Sequence, residues 1–390
     1  MSEPVLIVQS EQDFQTSLKH IHSCDEIAID LEFDKNFYRY GFNLCLVQIF
    51  TGKMCYLIDP LSSKIQIEQL FPILENDNIQ KVCFSFDEDL RLLHSLGCIP
   101  KNLYDLSIVT RLLNYPSISL NNLLEDVLNV DTGSSSQQSN WYRRPLLKNQ
   151  KLYAANDVLY LLKLKQTLQQ QADQNGISKW IEQENRLLND LDYRGIEHNE
   201  MIREKDMNGF SEYEWHIYKK LILWRDEKAR KFNKPPFQII HKDLLEKIAN
   251  DSRTLMDWQN TKNVFRKVKT EKVKTELLQL LKEANEEAKQ KNLSATEPAR
   301  KQPTPEEQRQ MRAQKKEINE VKRTFFVPVK TWIEENLGVE VASYLLSNRV
   351  IEEIITGTNG QLPDYKKELI LKSANVLNLN TEVLEPYLQS

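Results

Sequence analysis

Ile27-Ala28-Ile29-Asp30-Leu31-Glu32-Phe33 is the stretch from which the rest of the chain can be read. Its residues alternate with the two-residue period of a β-strand, so Ile27, Ile29, Leu31 and Phe33 share one face and Ala28, Asp30 and Glu32 the other. Two carboxylates therefore project side by side from an otherwise apolar strand. Like charges that close repel, and a bound divalent cation is an economical reason to keep them together. Solvent exposure of the acidic face is the other reading these seven residues allow.

Strand signals continue outward from this stretch. Asn43–Phe50 (NLCLVQIF) is strongly apolar and is joined to Met54–Pro60 (MCYLIDP) across Thr51-Gly52-Lys53, which predicts a hairpin. Lys81–Phe86 (KVCFSF) reads as a short buried strand leading into a helix over 88–96, and helical periods follow at 104–114, 119–129 and 149–170. Strands first, with helices between and after them, predict an α/β domain with a mixed sheet over residues 1–192. The polar segment 130–145 ends in Trp141-Tyr142-Arg143-Arg144-Pro145 and has the composition of a loop at the rim of a site. Beyond about 178 the pattern is helical, at 178–192, 211–232, 242–249 and 261–288. Residues 289–320 are charged and carry prolines, as a linker would, and 321–390 recover enough apolar periodicity for a third, small helical domain.

Composition removes several classes of function. The chain has 390 residues, 28% of them charged and 40% hydrophobic, which suits a soluble protein of more than one domain. With only 10 glycines, no spacing forms the phosphate-cradling loop of a P-loop enzyme or the dinucleotide turn of a Rossmann domain, so no nucleotide cofactor is expected. The five cysteines lie within the first hundred residues, never as C-x-x-C, and are expected to be buried thiols in a reducing compartment. His20, His22 and Cys24 alternate, but no fourth zinc ligand is visible near them. Acids precede any apolar run at the amino end, and no stretch approaches the roughly 18 apolar residues of a membrane span. A cytoplasmic protein with no membrane attachment is the expectation. The net charge of −4 conceals an asymmetry: residues 1–190 hold 17 Lys and Arg against 24 Asp and Glu, whereas residues 219–330 hold 28 against 16. An acidic front and a basic middle fit a metal-dependent enzyme joined to a polyanion-binding module, and also fit lysine-rich helices that are simply well solvated.

Further acids could complete a metal site. Asp87, Glu88 and Asp89 open the helix after Lys81–Phe86, where the helix dipole favours carboxylates whatever their role. Tyr153 and Asp157 lie four residues apart and so share a helix face. Four carboxylates on three elements are what a two-metal phosphodiesterase needs, since Mg²⁺ and Mn²⁺ prefer oxygen ligands. Trp141, Arg143 and Arg144 could contact a nucleic-acid strand or pack the loop against the 149–170 helix. In the basic region Trp224 fits a helix core, while Arg225, Lys228, Arg230, Lys231 and Lys234 could line a phosphate track.

Taken in order, Asp30-Leu31-Glu32-Phe33, the hairpin LCLVQIF…LIDPL, Glu88-Asp89-Leu90 followed by Gly97 and Tyr104-Asp105, Trp141…Arg144-Pro145-Leu146, and Tyr153-Ala154-Ala155-Asn156-Asp157-Val158 resemble ribonuclease D, one of the DEDDy 3′-to-5′ exonucleases. The resemblance covers residues 5–190 and implies a ribonuclease-H-like fold. It further implies that Asp30, Glu32, Asp89 and Asp157 hold two divalent ions, Mg²⁺ or Mn²⁺, and that Tyr153 orients the attacking water. Residues 209–288, with LILWRDEKARKFNKPPFQIIHKDLLEKIA, are similar to the helicase-and-ribonuclease-D C-terminal (HRDC) domain, a small nucleic-acid-binding module. Residues 321–390 resemble a degenerate second copy. Three positions depart from the family pattern: Leu31 replaces a usual threonine, Phe84 a common histidine and Asn140 a frequent aspartate.

The expected protein is therefore a monomeric 3′-to-5′ exoribonuclease releasing 5′-mononucleotides from RNA 3′ ends, tRNA precursors among them. Two alternatives stay open: the same chemistry on DNA, and a non-catalytic RNA-binding protein on an exonuclease fold.

Overall fold

A computed structural model describes residues 4–116, 119–133, 138–195, 202–300, 303–358 and 362–384. The chain divides into two compact units: the first joins Met1–Glu32, Leu44–Arg194 and Pro305–Ser390, and the second joins Phe33–Asn43 and Gly195–Thr304.

The first unit is built on six strands, β1 (Val5–Val8), β2 (Glu26–Lys35), β3 (Phe42–Phe50), β4 (Cys55–Ile58), β5 (Gln80–Cys83) and β6 (Leu103–Asp105), in the order β1-β4-β3-β2-β5-β6. β3 and β4 form the expected antiparallel hairpin, closed by Thr51 N–H donating to the Met54 carbonyl at 3.1 Å. β1 runs parallel to β4, β2 to β5, and β5 to β6, which makes the sheet mixed. Because β2 lies inside the sheet, Ile27, Ala28, Ile29 and Leu31 are buried together with Glu32, and the acidic face is not a solvent-exposed one. Helices Glu11–His22, Asp87–Ser95, Leu106–Leu112, Leu120–Leu128, Lys148–Leu159, Leu161–Gln174 and Ser178–Asn189 complete the layer around it. Apolar periodicity predicts one helix over 149–170; the chain turns at Tyr160 and makes two. Of the loop expected at 130–145, residues 134–137 lie outside the described residues.

The described helices beyond residue 321 group with the sheet-bearing part in one compact unit. Phe326, Val329, Ile333, Ala342, Leu346 and Ala374 are fully buried in one core with Leu106, Val109, Leu164 and Leu168 of the sheet-bearing part. Periodicity shows that these helices have an apolar face; it does not show which surface covers that face. Their attachment centres on Glu184, a buried residue of the Ser178–Asn189 helix. Its carboxylate accepts from the hydroxyls of Tyr344 at 2.7 Å and Tyr365 at 2.6 Å and pairs with the Lys366 ammonium at 2.9 Å. Trp180 stacks on Tyr365 at 5.0 Å beside this cluster. Gly338, at φ +107, leaves room for Asn114: a Cβ there would lie 2.1 Å from the Asn114 side chain, whose Oδ1 accepts from Glu340 N–H at 3.0 Å. Within the expected linker at 289–320, Pro305–Val321 is a helix with no buried residue, so its charge and proline content marked solvation rather than lack of structure.

The second unit is helical. Glu212–Phe232 opens on a capping box, with Glu214 N–H donating to Ser211 Oγ at 3.2 Å and Ser211 N–H to Glu214 Oε2 at 2.8 Å. It packs with Lys242–Asn250 and Glu271–Gln290 around Trp215, Tyr218, Leu221, Trp258 and Leu277. The last of these helices starts ten residues later than periodicity predicts, where Thr270 Oγ1 caps Val273 N–H at 3.3 Å.

Glu184→Ala removes the anion from a buried pair and leaves Lys366 without a partner, which should cost about 3–5 kcal/mol in chemical denaturation. Arg349→Ala, at an exposed guanidinium paired with Glu353, should leave stability unchanged. Indistinguishable midpoints for the two variants would show that the C-terminal helices are not held by the Glu184 cluster.

Candidate metal centre

β2 brings Asp30 and Glu32 to one face, as a period of two requires, and the helix Lys148–Leu159 brings Tyr153 and Asp157 to that face from across the sheet. Ligand oxygens of Asp30, Glu32 and Asp157 lie within 4.8 Å of one another. Glu32 and Asp157 are buried and Asp30 is half-buried. The Tyr153 hydroxyl hydrogen-bonds the Asp157 carboxylate, and its ring rests against Trp141 at 6.2 Å between centroids. Asp89, buried in the first turn of Asp87–Ser95, lies outside the 4.8 Å group but beside it. The Leu31 backbone amide, between the paired acids of β2, favours the charged forms of both Asp30 and Asp89.

Electrostatics make this arrangement costly in the absence of a cation. Burial pushes Asp30 up to about 7, against the pull of the Leu31 amide. Burial and then the charge on Asp30 push Asp157 up to about 8, with the Tyr153 hydroxyl opposing. Glu32 is raised well above the usual range by burial and by Asp30, Asp157 and Asp89, and Asp89 by burial and Asp30. Glu32 Oε1 and Asp89 Oδ1 are buried without any hydrogen-bond partner. Among the described residues no lysine or arginine pairs with any of the four. Carboxylates alone form a hard-oxygen donor set, which suits Mg²⁺, Mn²⁺ or Ca²⁺ and not a metal that seeks thiolate. The residues fit a divalent cation.

Several nucleic-acid candidates are used within the protein instead. Trp141 is 3% exposed and packs inside the first unit, so it is not free to stack on a base. Arg144 donates to both Asp59 oxygens, at 2.6 and 2.7 Å, and to the carbonyls of Cys45 and Trp141. These bonds hold the Asp59 carboxyl below the usual range although burial opposes them. Arg143 is exposed. In the second unit Lys228 is buried and pairs with Glu276 at 2.5 Å, on the same side as Trp224, whose Nε1–H donates to that carboxylate at 2.7 Å. Four residues along a helix from a core tryptophan is a core-facing position, which the charge count could not register. Arg225 is half-buried, with burial lowering its pKa and Nε without a partner. Arg230 is exposed but engaged by Asp226 at 3.7 Å and by the Tyr40 ring at 5.8 Å, while Lys231 is exposed and Lys234 partly so, with no ion pair to either among the described residues. Phe84 packs against the core, and the Asn140 carbonyl accepts from Gln150 Nε2 at 3.2 Å. His20 is taken by the Tyr56 hydroxyl at 2.7 Å, and the five cysteines are free, four of them buried. Among the described residues no helix is long and apolar enough to cross a membrane.

Residues 5–173 match the family model for a 3′-5′ exonuclease and residues 216–281 that for an HRDC domain. Ribonuclease D of Bartonella henselae is 28% identical over 245 residues, a match covering 62% of this chain and 60% of that protein. The match thus spans about three-fifths of the length of this curated relative. The catalytic core of RRP6 from Trypanosoma brucei superposes with a TM-score of 0.63 at 26% identity, covering 74% of this chain and 81% of that one. Escherichia coli RNase D shares the fold over 97% of this chain and 99% of its own, with a TM-score of 0.66 at 22% identity.

The raised carboxyls have a thermodynamic signature. Protons stay bound in the folded, metal-free protein up to about pH 7–8 at Asp30 and Asp157, whereas the unfolded chain releases them near pH 4. The folded state binds more protons over this interval, so stability falls as pH rises through it. The melting temperature of metal-free protein should therefore drop from pH 5.5 to 8.5, and Mn²⁺ should restore it more at the higher pH. Asp157→Asn should flatten the slope and raise the metal-free melting point at pH 8.5 by several degrees, about 2–4 °C per kcal/mol. Parallel pH profiles for variant and parent, with no response to Mn²⁺, would rule out the cation site.

Proposed function

We propose that this chain, which joins a 3′-5′ exonuclease domain to an HRDC domain and resembles ribonuclease D, is a metal-dependent 3′-to-5′ exoribonuclease releasing 5′-mononucleotides. The observation that carries the reading is the set of four clustered carboxyls, three of them buried and Asp30 half-buried, with no protein cation among the described residues and with Tyr153 bonded to Asp157. Asp30, Glu32, Asp89 and Asp157 would hold two divalent ions, Mg²⁺ or Mn²⁺. When bound, such ions lower the pKa of water and neutralise charge on the attacking and leaving oxygens of an in-line displacement. Tyr153 Oη, fixed by the Asp157 carboxylate and steadied by Trp141, is the neutral group available to orient a water at the scissile phosphate. In this reading water attacks directly and no covalent enzyme intermediate forms.

Structured RNAs ending in a free 3′ strand, tRNA precursors among them, are the proposed substrates. Lys231 and Lys234 in the HRDC region are the cations placed to meet phosphates, with Arg143 at the surface of the exonuclease unit. Binding through such contacts releases counterions and weakens as salt rises.

A 5′-labelled single-stranded RNA followed on a denaturing gel should shorten from its 3′ end with Mg²⁺ or Mn²⁺ and stay intact with EDTA. Asp157→Ala should slow the reaction by on the order of 10²–10³-fold or more. A matched DNA strand degraded as fast as the RNA would replace the substrate assignment, and RNA binding with no metal-dependent shortening would overturn the enzymatic one. In the same preparation, Lys231→Ala and Lys234→Ala should each reduce the slope of log affinity against log salt by about 1 or less. An unchanged slope in both would remove these lysines from the contact.

A further inference from the structure

The helix that carries Asp89 begins without a side-chain cap of its own, because Phe86 stands at its N-cap. A helix start leaves backbone N–H groups that need partners when buried, and Phe86 is fully buried. Asp105, at the end of β6 and 4% exposed, serves the two amides that lead into the helix from about twenty residues away. Its two carboxylate oxygens accept from Ser85 N–H and Phe86 N–H, both at 2.9 Å, and one also accepts from Ser107 N–H at 2.8 Å. Ser85 is held in the left-handed region at φ 56, where a serine sits only if its surroundings insist. Successive amides turned toward one anion fix both the turn and the direction in which the helix leaves it. Asp89 follows within the first turn.

Asp105 is itself held. Its backbone N–H donates to Asn185 Oδ1 at 2.7 Å, and Asn185 Nδ2 donates to the Ile181 carbonyl at 3.1 Å. One turn further along the same helix Asn189 repeats the stitch, accepting from Leu103 N–H at 2.8 Å and donating to the Leu103 carbonyl at 3.0 Å. β6 is thus pinned to the Ser178–Asn189 helix at both of its ends. The helix that does so is the one whose Glu184 anchors the C-terminal helices.

We infer that Asp105, oriented by Asn185, is a positioning residue for the metal centre: it sets the turn at Ser85-Phe86 and through it the reach of Asp89 toward Asp30 and Glu32. This rests on the reading of Asp89 as a ligand. Groups that orient metal ligands from behind affect metal affinity by about 10–100-fold, so the residue should be visible in metal binding without any turnover.

The test is Mn²⁺ titration of the full chain, followed by the loss of the free-ion electron paramagnetic resonance signal, for the parent, Asp105→Ala, Asp105→Asn, Asn185→Ala and Asp89→Ala. Thermal unfolding establishes that each variant is folded at the assay temperature. Asp105→Ala should weaken Mn²⁺ binding about 10-fold or more. Asp105→Asn keeps one acceptor oxygen and should lie between the two. With RNA, the loss should fall on kcat at saturating Mn²⁺, with KM unchanged. Folded Asp105→Ala that binds Mn²⁺ as the parent does would overturn the inference. If Asp105→Ala does not fold, parental Mn²⁺ affinity in both Asp105→Asn and Asn185→Ala would overturn it equally. Undiminished binding by Asp89→Ala would instead remove Asp89 as a ligand and this inference with it, whereas loss in Asp89→Ala alone leaves the ligand assignment standing and rejects only the role of Asp105.

Discussion

Four carboxyl groups meet in a place from which water is largely excluded, and their mutual repulsion is the constraint that the rest of the first unit must withstand. At an effective dielectric of about 20, two unit charges 4.8 Å apart repel by ~3.5 kcal/mol. A domain is stable by only about 5–15 kcal/mol, so full ionisation without a cation would consume a large share of that margin. The cluster is held in place by elements that cannot easily separate: a strand inside the sheet for Asp30 and Glu32, a helix buried along the same face for Asp157, and a helix start clamped by Asp105 for Asp89. A site strained in its metal-free form and relieved by a cation is preorganised for binding one.

How much of this was legible in the sequence follows from which relations are local. The two-residue period placed Asp30 and Glu32 on one face, and the four-residue spacing placed Tyr153 with Asp157, because backbone geometry alone decides both. The hairpin of β3 and β4 and the starts of most helices were equally local. Asp89 was harder to single out, since three acids in a first turn look alike and only burial beside Asp30 distinguishes the one that joins the site. For Trp141 and Arg144 the sequence left nucleic-acid contact and internal packing both open, and for Lys228 it offered a phosphate track, because partners such as Asp59 and Glu276 are distant in the chain. The covering of the core by residues beyond 321 was invisible for the same reason. Asp105 had no assigned role, although Tyr104-Asp105 carries a polar residue directly after an apolar strand and before a helix, which is the usual place for a cap. Its second task, holding the turn at Ser85-Phe86 ahead of a different helix, has no local signal.

The Ser178–Asn189 helix shows how a residue with no chemistry of its own can matter to a site. Adjacent residues on it face different neighbours: Asn185 secures β6 and Asp105, while Glu184 gathers Tyr344, Tyr365 and Lys366. The apolar layer behind the sheet and the turn in front of Asp89 therefore share one rigid support.

The inserted second unit has a consequence for biosynthesis. All the proposed metal ligands are translated by residue 157, yet the apolar surface of Leu106–Leu112 and Ser178–Asn189 acquires its cover from Phe325, Phe326, Ile333 and Leu346, which emerge only after about 110 intervening residues. Loop-closure entropy grows slowly with length, so the finished chain bears the insertion lightly. The growing chain bears it differently, exposing an unfinished core on the ribosome for as long as the insertion takes to synthesise. A message cut short within the insertion would yield a polypeptide with every proposed metal ligand in place and no layer to close over that apolar surface, a product for proteases and chaperones.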